Sequence, residues 1–182
     1  MELKDKITGV IRELIIYALI IVVCIYVIPQ YVIQRTIVDG ESMENTLMSG
    51  DNLLVEKLSY RVSDPERFDI IVFYPQGNHG SKSEYYVKRV IGLPGETVQI
   101  IGEDIYIDGK ILDENYGKDP IMDAGIAIDP ITLADDEYFV MGDNRTISKD
   151  SRSSDVGPVA KSKIAGKVIL RMWPFDEFGT LD

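Results

Sequence analysis

Cysteine and histidine are almost absent from this chain of 182 residues, which contains one of each. The single cysteine, Cys24, excludes an intrachain disulfide framework and any zinc site built on several thiolates. The single histidine, His79, excludes metal sites that need two imidazoles. It is also the one residue through which a Ser-His-Asp triad can form. We therefore expect neither a bound metal ion nor a cofactor.

Basic residues are clearly fewer than acidic ones. The chain has 19 Lys and Arg against 30 Asp and Glu, which gives a formal net charge of −11. Because phosphate contacts depend on Lys and Arg, this balance argues against nucleic acid as a partner. Disorder is equally unexpected, since 45% of the residues are hydrophobic and 9% are aromatic. The sequence shows neither an internal repeat nor a low-complexity tract.

Charge is missing altogether from residues 14–28 (LIIYALIIVVCIYVI), and the uncharged run continues to Ile33. A helix needs about 20 mostly apolar residues to cross a bilayer, so this segment predicts a single membrane span. Pro29 lies near its far end, where a helix can stop or kink. Tyr26 and Tyr31 suit the outer interface of the membrane.

A cleavable signal peptide and a buried core helix are the two alternatives for this run. A signal peptide has a shorter apolar region and ends at small residues, whereas this run ends in VIPQYVIQRT. Lys4, Lys6 and Arg12 precede the run and only Arg35 closely follows it, which predicts a cytoplasmic N-terminus. The expected division is a cytoplasmic tail (1–13), a transmembrane anchor (14–34) and an extracytoplasmic domain (35–182).

Short segments rich in Val, Ile and Tyr predict a mainly β domain after the anchor. Within the segment IYIDGKIL, Asp108-Gly109 is typical of a two-residue hairpin turn. Residues 113–131 have two Gly and two Pro and are expected to form an excursion or small subdomain. The expected strands are 52–57, 69–74, 85–91, 97–101, 105–112, 137–141 and 167–172.

Three segments carry residues that could do chemistry, and each is weak alone. In residues 40–47 (GESMENTL), Ser42 follows a Gly and is more typical of a turn. Lys88 shares a strand face with Tyr86 and Val90, and burial there would lower its pKa, as a general base requires. Residues 142–152 (GDNRTISKDSR) can form a loop held by charge-assisted hydrogen bonds. A surface Lys and a solvated loop are the ordinary alternatives.

Together and in this order, the three segments resemble the type I signal peptidases, membrane-bound serine proteases that remove signal peptides from exported proteins. The form is similar to that of Gram-positive bacteria, with one N-terminal span. The YVKRVIGLPGE block at 86–96 and the GDNRTISKDSR loop at 142–152 match the family patterns in full. Two positions depart: Asn45 stands for Pro in G-x-S-M-x-P-T-L, and Phe68 stands for Gly in R-G-D-I-V-V-F.

The resemblance implies a role for each matching residue. Ser42 would be the nucleophile and Lys88 the general base of a Ser-Lys dyad, with the Ser42 backbone N–H stabilising the oxyanion. Ser148 would hydrogen-bond the Lys88 amine and orient it. The pairs Arg89 with Asp143 and Asp150 with Arg152 would hold the loop against the base. The family fold is a catalytic domain of coiled antiparallel sheets, and 113–131 would be a reduced second region.

The same resemblance predicts the substrate. Preproteins with Ala-x-Ala before the cut would place small residues in shallow apolar pockets, and the lipid bilayer would be the second partner. By position, the pocket candidates are Val38, Met43, Leu47, Tyr86 and Val87. Some family members add a serine hydroxyl two residues before the nucleophile as an oxyanion donor, but this chain has Gly40 there.

The departures and the alternatives define what remains open. Asn45 frees φ and restores an N–H beside the nucleophile, and Phe68 is expected to force a different turn before its strand. One alternative function is a dedicated relative that processes one specialised exported substrate. Another is a non-catalytic, membrane-anchored β domain that binds exported chains.

Overall fold

The structure is a computed structural model that describes residues 2–75 and 85–181, so His79 lies outside the described residues. The chain begins with an unbroken helical run over residues 2–31. It consists of α1 (Glu2–Val22), a π-helical turn (Val23–Val27) and α2 (Ile28–Tyr31). Within it, Ile7–Tyr31 contains an 18-residue stretch with a mean hydropathy of 2.5, none of which is buried, so the segment is long and apolar enough to span a membrane.

Pro29 neither stops the helix at once nor leaves it regular. It lies inside α2, and the helix ends two residues later, where the Val32 N–H donates to the Ile28 carbonyl at 2.8 Å. Proline cannot donate a hydrogen bond to the preceding turn, and its ring crowds the carbonyl four residues back. The π-helical turn at Val23–Val27 directly precedes it, which is one way that a helix accommodates a missing bond.

Strands are the main regular elements in the rest of the described chain, as the sequence predicts. A short helix, α3 (Ser59–Val62), follows the second strand, and the Glu56 carboxylate accepts from the Ser59 backbone N–H at its start. The strands of the described ranges are β1 (Ile33–Ile37), β2 (Asn52–Glu56), β3 (Ile70–Phe73), β4 (Tyr86–Gly92), β5 (Thr97–Ile101), β6 (Asp104–Ile107), β7 (Lys110–Ile111), β8 (Ile131–Thr132), β9 (Glu137–Met141), β10 (Val159–Ala160) and β11 (Ile164–Trp173).

These strands form two antiparallel sheets. The larger sheet has the order β1-β2-β11-β3-β4-β9-β10, and the smaller has the order β7-β6-β5-β8. β11 enters between β2 and β3, and its pairing shifts register three times, which bends the strand. The larger sheet is therefore curled, and its concave arrangement brings β1 and β4 towards the same groove.

Several sequence predictions are confirmed at the level of single elements. The bounds of β5 and β9 coincide with the expected segments, and Asp108 and Gly109 have φ of 50° and 75°, as a type I′ turn requires. β11 is longer than expected. β1 is not among the expected strands, and its first two residues fall within the segment predicted as the anchor (14–34). The excursion 113–131 contains one 3₁₀ turn (Gly125–Ile128) and leads into β8.

Candidate active site

Ser42 lies on a compact turn between β1 and β2. The Met43 carbonyl accepts from the Thr46 N–H at 3.0 Å and from the Leu47 N–H at 2.8 Å, and these two bonds close the turn. Gly40 enters it with φ of 106°, a conformation that favours glycine. Met43 and Leu47 are buried among Leu53, Val55 and Ile70, so they fix the turn to the core. This leaves the partly exposed Ser42 at the tip.

Lys88 comes from the middle of β4, where the antiparallel partner of its backbone is Ile71 of β3. Its side chain is only 4% exposed, although lysine is rarely buried without a partner. The ammonium donates to Ser42 Oγ at 2.7 Å and to the Val87 carbonyl at 2.8 Å. It also lies 5.4 Å from the Tyr86 ring centroid. The structure thus brings the two expected catalytic side chains into direct contact.

Burial lowers the pKa of Lys88 to about 8, because a charged ammonium loses hydration inside the protein. The carboxylates of Asp150 and Asp143 act in the opposite direction and only partly offset this effect on the pKa. A lysine in this environment is neutral in a large fraction of molecules slightly above neutral pH. It can then accept a proton from a hydroxyl.

Ser148 lies beside these two residues, but its expected hydrogen bond to Lys88 is not formed. Its Oγ is buried and has no hydrogen-bond partner among the described residues. The second acceptor of the Lys88 ammonium is instead the Val87 carbonyl, which the strand places at 2.8 Å. A Cβ at Gly142 would come within 2.2 Å of Ser148 Oγ and 2.3 Å of the Ser42 carbonyl oxygen, so both lie against this glycine.

The two expected ion pairs are formed, and both are buried. Arg89 donates from Nε to Asp143 Oδ1 at 3.0 Å and from Nη2 to Asp143 Oδ2 at 2.8 Å. Arg152 donates from Nε and Nη2 to the two oxygens of Asp150, both at 2.9 Å. Bidentate pairs of this kind fix geometry as well as charge. The first pair joins β4 to the loop that follows β9, and the second pair lies within that loop.

The loop at 142–152 is held directly against the turn that carries Ser42. The Asn144 N–H donates to the Ser42 carbonyl at 3.1 Å, and the Gly142 N–H donates to Asp150 Oδ2 at 3.0 Å. Gly142 leaves no room for a side chain at this contact. Asn144 begins the formal glycosylation sequon Asn144-Arg145-Thr146, but it is buried, which is incompatible with glycan attachment.

Residues of the excursion 113–131 hold this loop from the other side, and the sequence did not indicate them. Glu114 accepts two bonds from the buried Arg145 at 2.8 and 2.9 Å. Lys118 donates from its backbone N–H to the Asp143 carbonyl at 2.8 Å and pairs with Glu44 at 2.7 Å. These partners lie 31 and 74 residues apart in sequence, and no short motif could have linked them.

Both departures from the family pattern take left-handed backbone conformations. Asn45 has φ of 85°, which asparagine tolerates and proline cannot adopt. Phe68 has φ of 73°, so the expected change of turn is not seen, and the backbone stays in the region typical of glycine. Its ring packs on Tyr116 at 5.0 Å between centroids, and its carbonyl accepts from Arg89 Nη1 at 3.0 Å. These contacts oppose the strain of a bulky residue at positive φ.

A groove of about 490 Å³ runs past Ser42 and Lys88, between the end of β1 and the start of β4. Four expected pocket residues line it: Val38, Met43, Tyr86 and Val87. Leu47 does not, because its side chain is fully buried in the core beneath the turn. The residues lining the groove that the sequence did not indicate are Thr36, Ile37, Asp39, Glu41, Tyr85, Ile147 and Lys149.

Comparison with known proteins gives a consistent result. Residues 11–173 match the family described as signal peptidase, peptidase S26. A probable signal peptidase I-2 of Synechocystis sp. is 41% identical over 147 residues, which are 79% of this chain and 65% of that protein. A signal peptidase I of Bacillus caldolyticus is 43% identical over 154 residues, which are 78% of this chain and 80% of that protein.

A crystal structure of a signal peptidase I from Enterococcus faecalis aligns with 58% of this chain and 97% of that chain, at 32% identity and a TM-score of 0.47. The family match covers most of the chain, including the turn of Ser42, the strand of Lys88 and the loop at 142–152. The chain therefore belongs to the peptidase S26 family of signal peptidases.

Proposed function

We propose that this chain is a membrane-anchored serine endopeptidase that removes signal peptides from exported preproteins with Ser42 and Lys88. One observation carries the proposal. The buried Lys88 ammonium contacts Ser42 Oγ at 2.7 Å, at the wall of an open groove. A lysine of lowered pKa next to a serine hydroxyl is the arrangement that activates an otherwise weak nucleophile.

In the proposed reaction, neutral Lys88 takes the proton from Ser42 Oγ as that oxygen attacks the scissile carbonyl carbon. The Lys88 ammonium then gives the proton to the leaving amine, so the peptide bond breaks and an ester to Ser42 remains. A water molecule attacks this ester while Lys88 again accepts a proton, which returns to Ser42 Oγ. Proton balance therefore needs no other acid or base.

Charge on the carbonyl oxygen needs a hydrogen-bond donor, and the Ser42 backbone N–H can supply one. No described residue accepts a hydrogen bond from this N–H. Its neighbour Gly40 offers no hydroxyl. A preorganised donor at this point stabilises the transition state more than the ground state.

An exposed strand edge supports the binding of an extended peptide. Among the described residues, β9 pairs with β4 only from Arg89 onward, and β3 covers the opposite edge of β4. The stretch from Tyr85 to Val87 therefore keeps one backbone edge towards the groove, where a substrate can add as a strand. Val38, Met43 and Val87 give this groove small apolar surfaces, which suit Ala side chains before the cut.

The proposed membrane placement follows from Ile7–Tyr31 and the basic residues before it. With a cytoplasmic N-terminus, the β domain lies on the extracytoplasmic side of a bacterial cell membrane. β1 begins two residues after the helical run ends, and Ser42 is five residues beyond β1. The active site is thus tethered close to the bilayer in which its substrates are held, which raises their effective concentration.

The test compares cleavage of a preprotein with an Ala-x-Ala site by the wild-type chain in detergent and by two variants. Ser42→Ala and Lys88→Ala are each expected to lower kcat by more than about 10³-fold, because neither half of the dyad works alone. Ser162→Ala and Lys110→Ala, at exposed positions, serve as matched controls and should keep the wild-type rate. Far-UV circular dichroism checks that all variants fold.

The alternative functions give different results in the same assay. A dedicated relative would cut its own specialised preprotein and leave the general one intact, so both are offered side by side. A non-catalytic binding domain would cut neither and would fail to form a covalent adduct between Ser42 and a peptide aldehyde. Retention of the wild-type rate by Ser42→Ala or Lys88→Ala would disprove the proposed dyad.

A further inference from the structure

A second groove lies where the helical run meets the β domain. It measures about 660 Å³, and we call it the junction groove. One wall comes from the end of the helical run, and the other comes from the β2–α3 connection and β11. The residues that line it are Ile25, Tyr26, Pro29, Gln30, Gln34, Lys57, Tyr60, Arg61, Tyr74, Tyr85, Lys161, Ile164 and Ala165.

The lining of the junction groove is cationic, although the chain as a whole has a net charge of −11. Lys57, Arg61 and Lys161 line it, and no Asp or Glu among the described residues does. Lys161 already pairs with Asp64, but Lys57 and Arg61 have no carboxylate partner among the described residues. A concave surface with three cations, of which Lys161 alone is paired with a described carboxylate, is typical of an anion-binding site.

The contacts of Lys57 and Arg61 leave their charges largely uncompensated. Lys57 donates to the carbonyls of Pro29 and Gln30 at 3.2 and 3.4 Å, and the Arg61 guanidinium lies 5.6 Å from the Tyr31 ring centroid. Burial lowers the pKa of Lys57, and the nearby charge of Arg61 lowers it further. An anion between the two side chains would relieve this repulsion.

The position of the groove indicates which kind of anion it would bind. Ile25, Tyr26 and Pro29 belong to the last turns of the proposed membrane span, so the groove lies at the height of the lipid headgroups. Beside it, Leu58 and Val62 of the α3 region are 40% and 91% exposed. Apolar side chains flanking a cationic groove suit a ligand that has both a phosphate and acyl chains.

We propose that the junction groove binds the phosphate of an anionic phospholipid from the extracytoplasmic leaflet, with Lys57 and Arg61 as its charged contacts. Leu58 and Val62 contact the upper part of the acyl chains. The lipid then joins the end of the helix to the β domain and sets the height of the catalytic groove above the membrane. Tyr85 lines both grooves, so the two sites are contiguous. The proposal rests on the membrane anchoring proposed above.

Lys57 also has a structural role, and the test must separate it from lipid binding. Its ammonium caps the carbonyl end of the helical run, where a cation is favourable in any case. The Arg61 side chain makes no such bond to a carbonyl among the described residues, and its contact with the helix end is limited to the Tyr31 ring, 5.6 Å from its guanidinium. Arg61→Gln is therefore the decisive variant and Lys57→Gln the supporting one.

The experiment is native mass spectrometry of the full chain in detergent, titrated with phosphatidylglycerol or with phosphatidylcholine of equal chain length. Wild type is expected to retain phosphatidylglycerol in preference. Arg61→Gln and Lys57→Gln should each weaken that retention about fivefold, as expected for one basic contact to an anionic headgroup. Lys110→Gln, which removes an exposed cation from β7, should leave it unchanged.

Inorganic phosphate is the competing ligand in a further titration. If phosphate at equal concentration leaves the lipid bound, the acyl contacts contribute and the lipid assignment holds. If phosphate displaces it fully, the groove takes a free anion and the assignment is wrong. Equal retention of the two lipids by wild type, or unchanged preference in Arg61→Gln, overturns the proposal.

Cleavage of a short water-soluble Ala-x-Ala peptide is measured on the same samples. Both junction variants should cut it at the wild-type rate, because they lie outside the catalytic groove. This readout separates the two proposals. A chain that cuts no peptide but prefers phosphatidylglycerol contradicts the peptidase assignment alone, and one that cuts the peptide but shows no lipid preference contradicts the lipid site alone.

Discussion

At the scale of single residues, the proposed chemistry depends on whether the Lys88 amine is neutral. The side chain is buried beside a hydroxyl and a carbonyl, and its closest carboxylates are already bound to arginines. Asp143 and Asp150 can therefore raise the pKa of Lys88 only weakly, whereas an unpaired carboxylate would restore the ammonium. The buried arginines thus help to keep Lys88 neutral, as its proposed role of base requires.

The pH dependence of cleavage tests this directly. The pKa of Lys88 is lowered to about 8, so the active neutral form increases as the pH rises towards that value. We expect kcat/KM to rise about tenfold per pH unit below pH 8 and to level off above it. The measurement is a profile from pH 6 to 10 with a peptide that has no ionisable group near the cut.

A flat profile over that range, with folding intact, would contradict Lys88 as the base. The residual rate of Lys88→Ala is the control, and it should lack the rise near pH 8. The free energy of unfolding should also increase as the pH rises over part of this range. The unfolded chain holds the Lys88 proton up to a pKa near 10.5, so unfolding becomes harder as the pH rises between about 8 and 10.5.

Ser148 gives a second residue-scale prediction. Its buried hydroxyl has no partner among the described residues, so Ser148→Ala should leave the melting temperature nearly unchanged. If the hydroxyl turns towards Lys88 during the reaction, the variant loses about 10-fold or more in kcat, and the pH profile shifts. Ser148→Thr keeps the hydroxyl and should recover part of the rate. An unchanged kcat and profile would exclude the orienting role.

The sequence could indicate these residues but not all of their contacts. Lys88 stands in a block of eleven residues that matches the family pattern in full, and Ser42 stands in a block of eight that departs from it at Asn45. The bond from Lys88 to the Val87 carbonyl depends on the local backbone of β4, and no residue type reports it in advance. The unpartnered state of Ser148 has the same origin, because it depends on side-chain torsions and not on sequence.

At the scale of elements, the turn after Ser42 makes an unusual prediction. Asn45→Pro would restore the residue that the family pattern has at this position, yet it should harm this chain. Proline fixes φ near −65°, whereas Asn45 has φ of 85°. We expect a loss of more than about 1 kcal/mol in stability and a fall in kcat, because the turn carries the proposed nucleophile.

Asn45→Gly is the matched control, since glycine adopts positive φ without strain. It should keep both activity and stability close to wild type. Thermal unfolding in detergent and the peptide assay give the two readouts. If Asn45→Pro were as stable and active as wild type, the left-handed conformation of this turn would be wrong.

Strands near each other in sequence were predictable, and the order of distant strands was not. β5, β6 and β7 follow from alternation and from the Asp108-Gly109 turn, because hairpins are encoded locally. The insertion of β11 between β2 and β3 joins segments more than 90 residues apart, and local patterns say nothing about it. The support of 142–152 by Glu114 and Lys118 is long-range in the same way.

At the scale of the whole molecule, the orientation across the membrane is the open prediction. Cys24 is the only cysteine, so Cys24→Ala gives a background without thiols. In that background, Lys110→Cys should react in intact cells with a maleimide that cannot cross membranes, and Lys4→Cys should react only after lysis. The reverse pattern would place the β domain in the cytoplasm and contradict the proposed substrate.

The place of β11 in the large sheet has a consequence for how the chain folds during its synthesis. Synthesis delivers the anchor and Ser42 first, Lys88 next and the loop at 142–152 later, but β11 fills the gap between β2 and β3 only after all of them. Until then β2, which follows the turn of Ser42, and β4, which carries Lys88, have no common sheet. We therefore expect the contact between Ser42 and Lys88 to form only when the chain is nearly complete, so that a partly synthesised molecule does not yet cleave peptides.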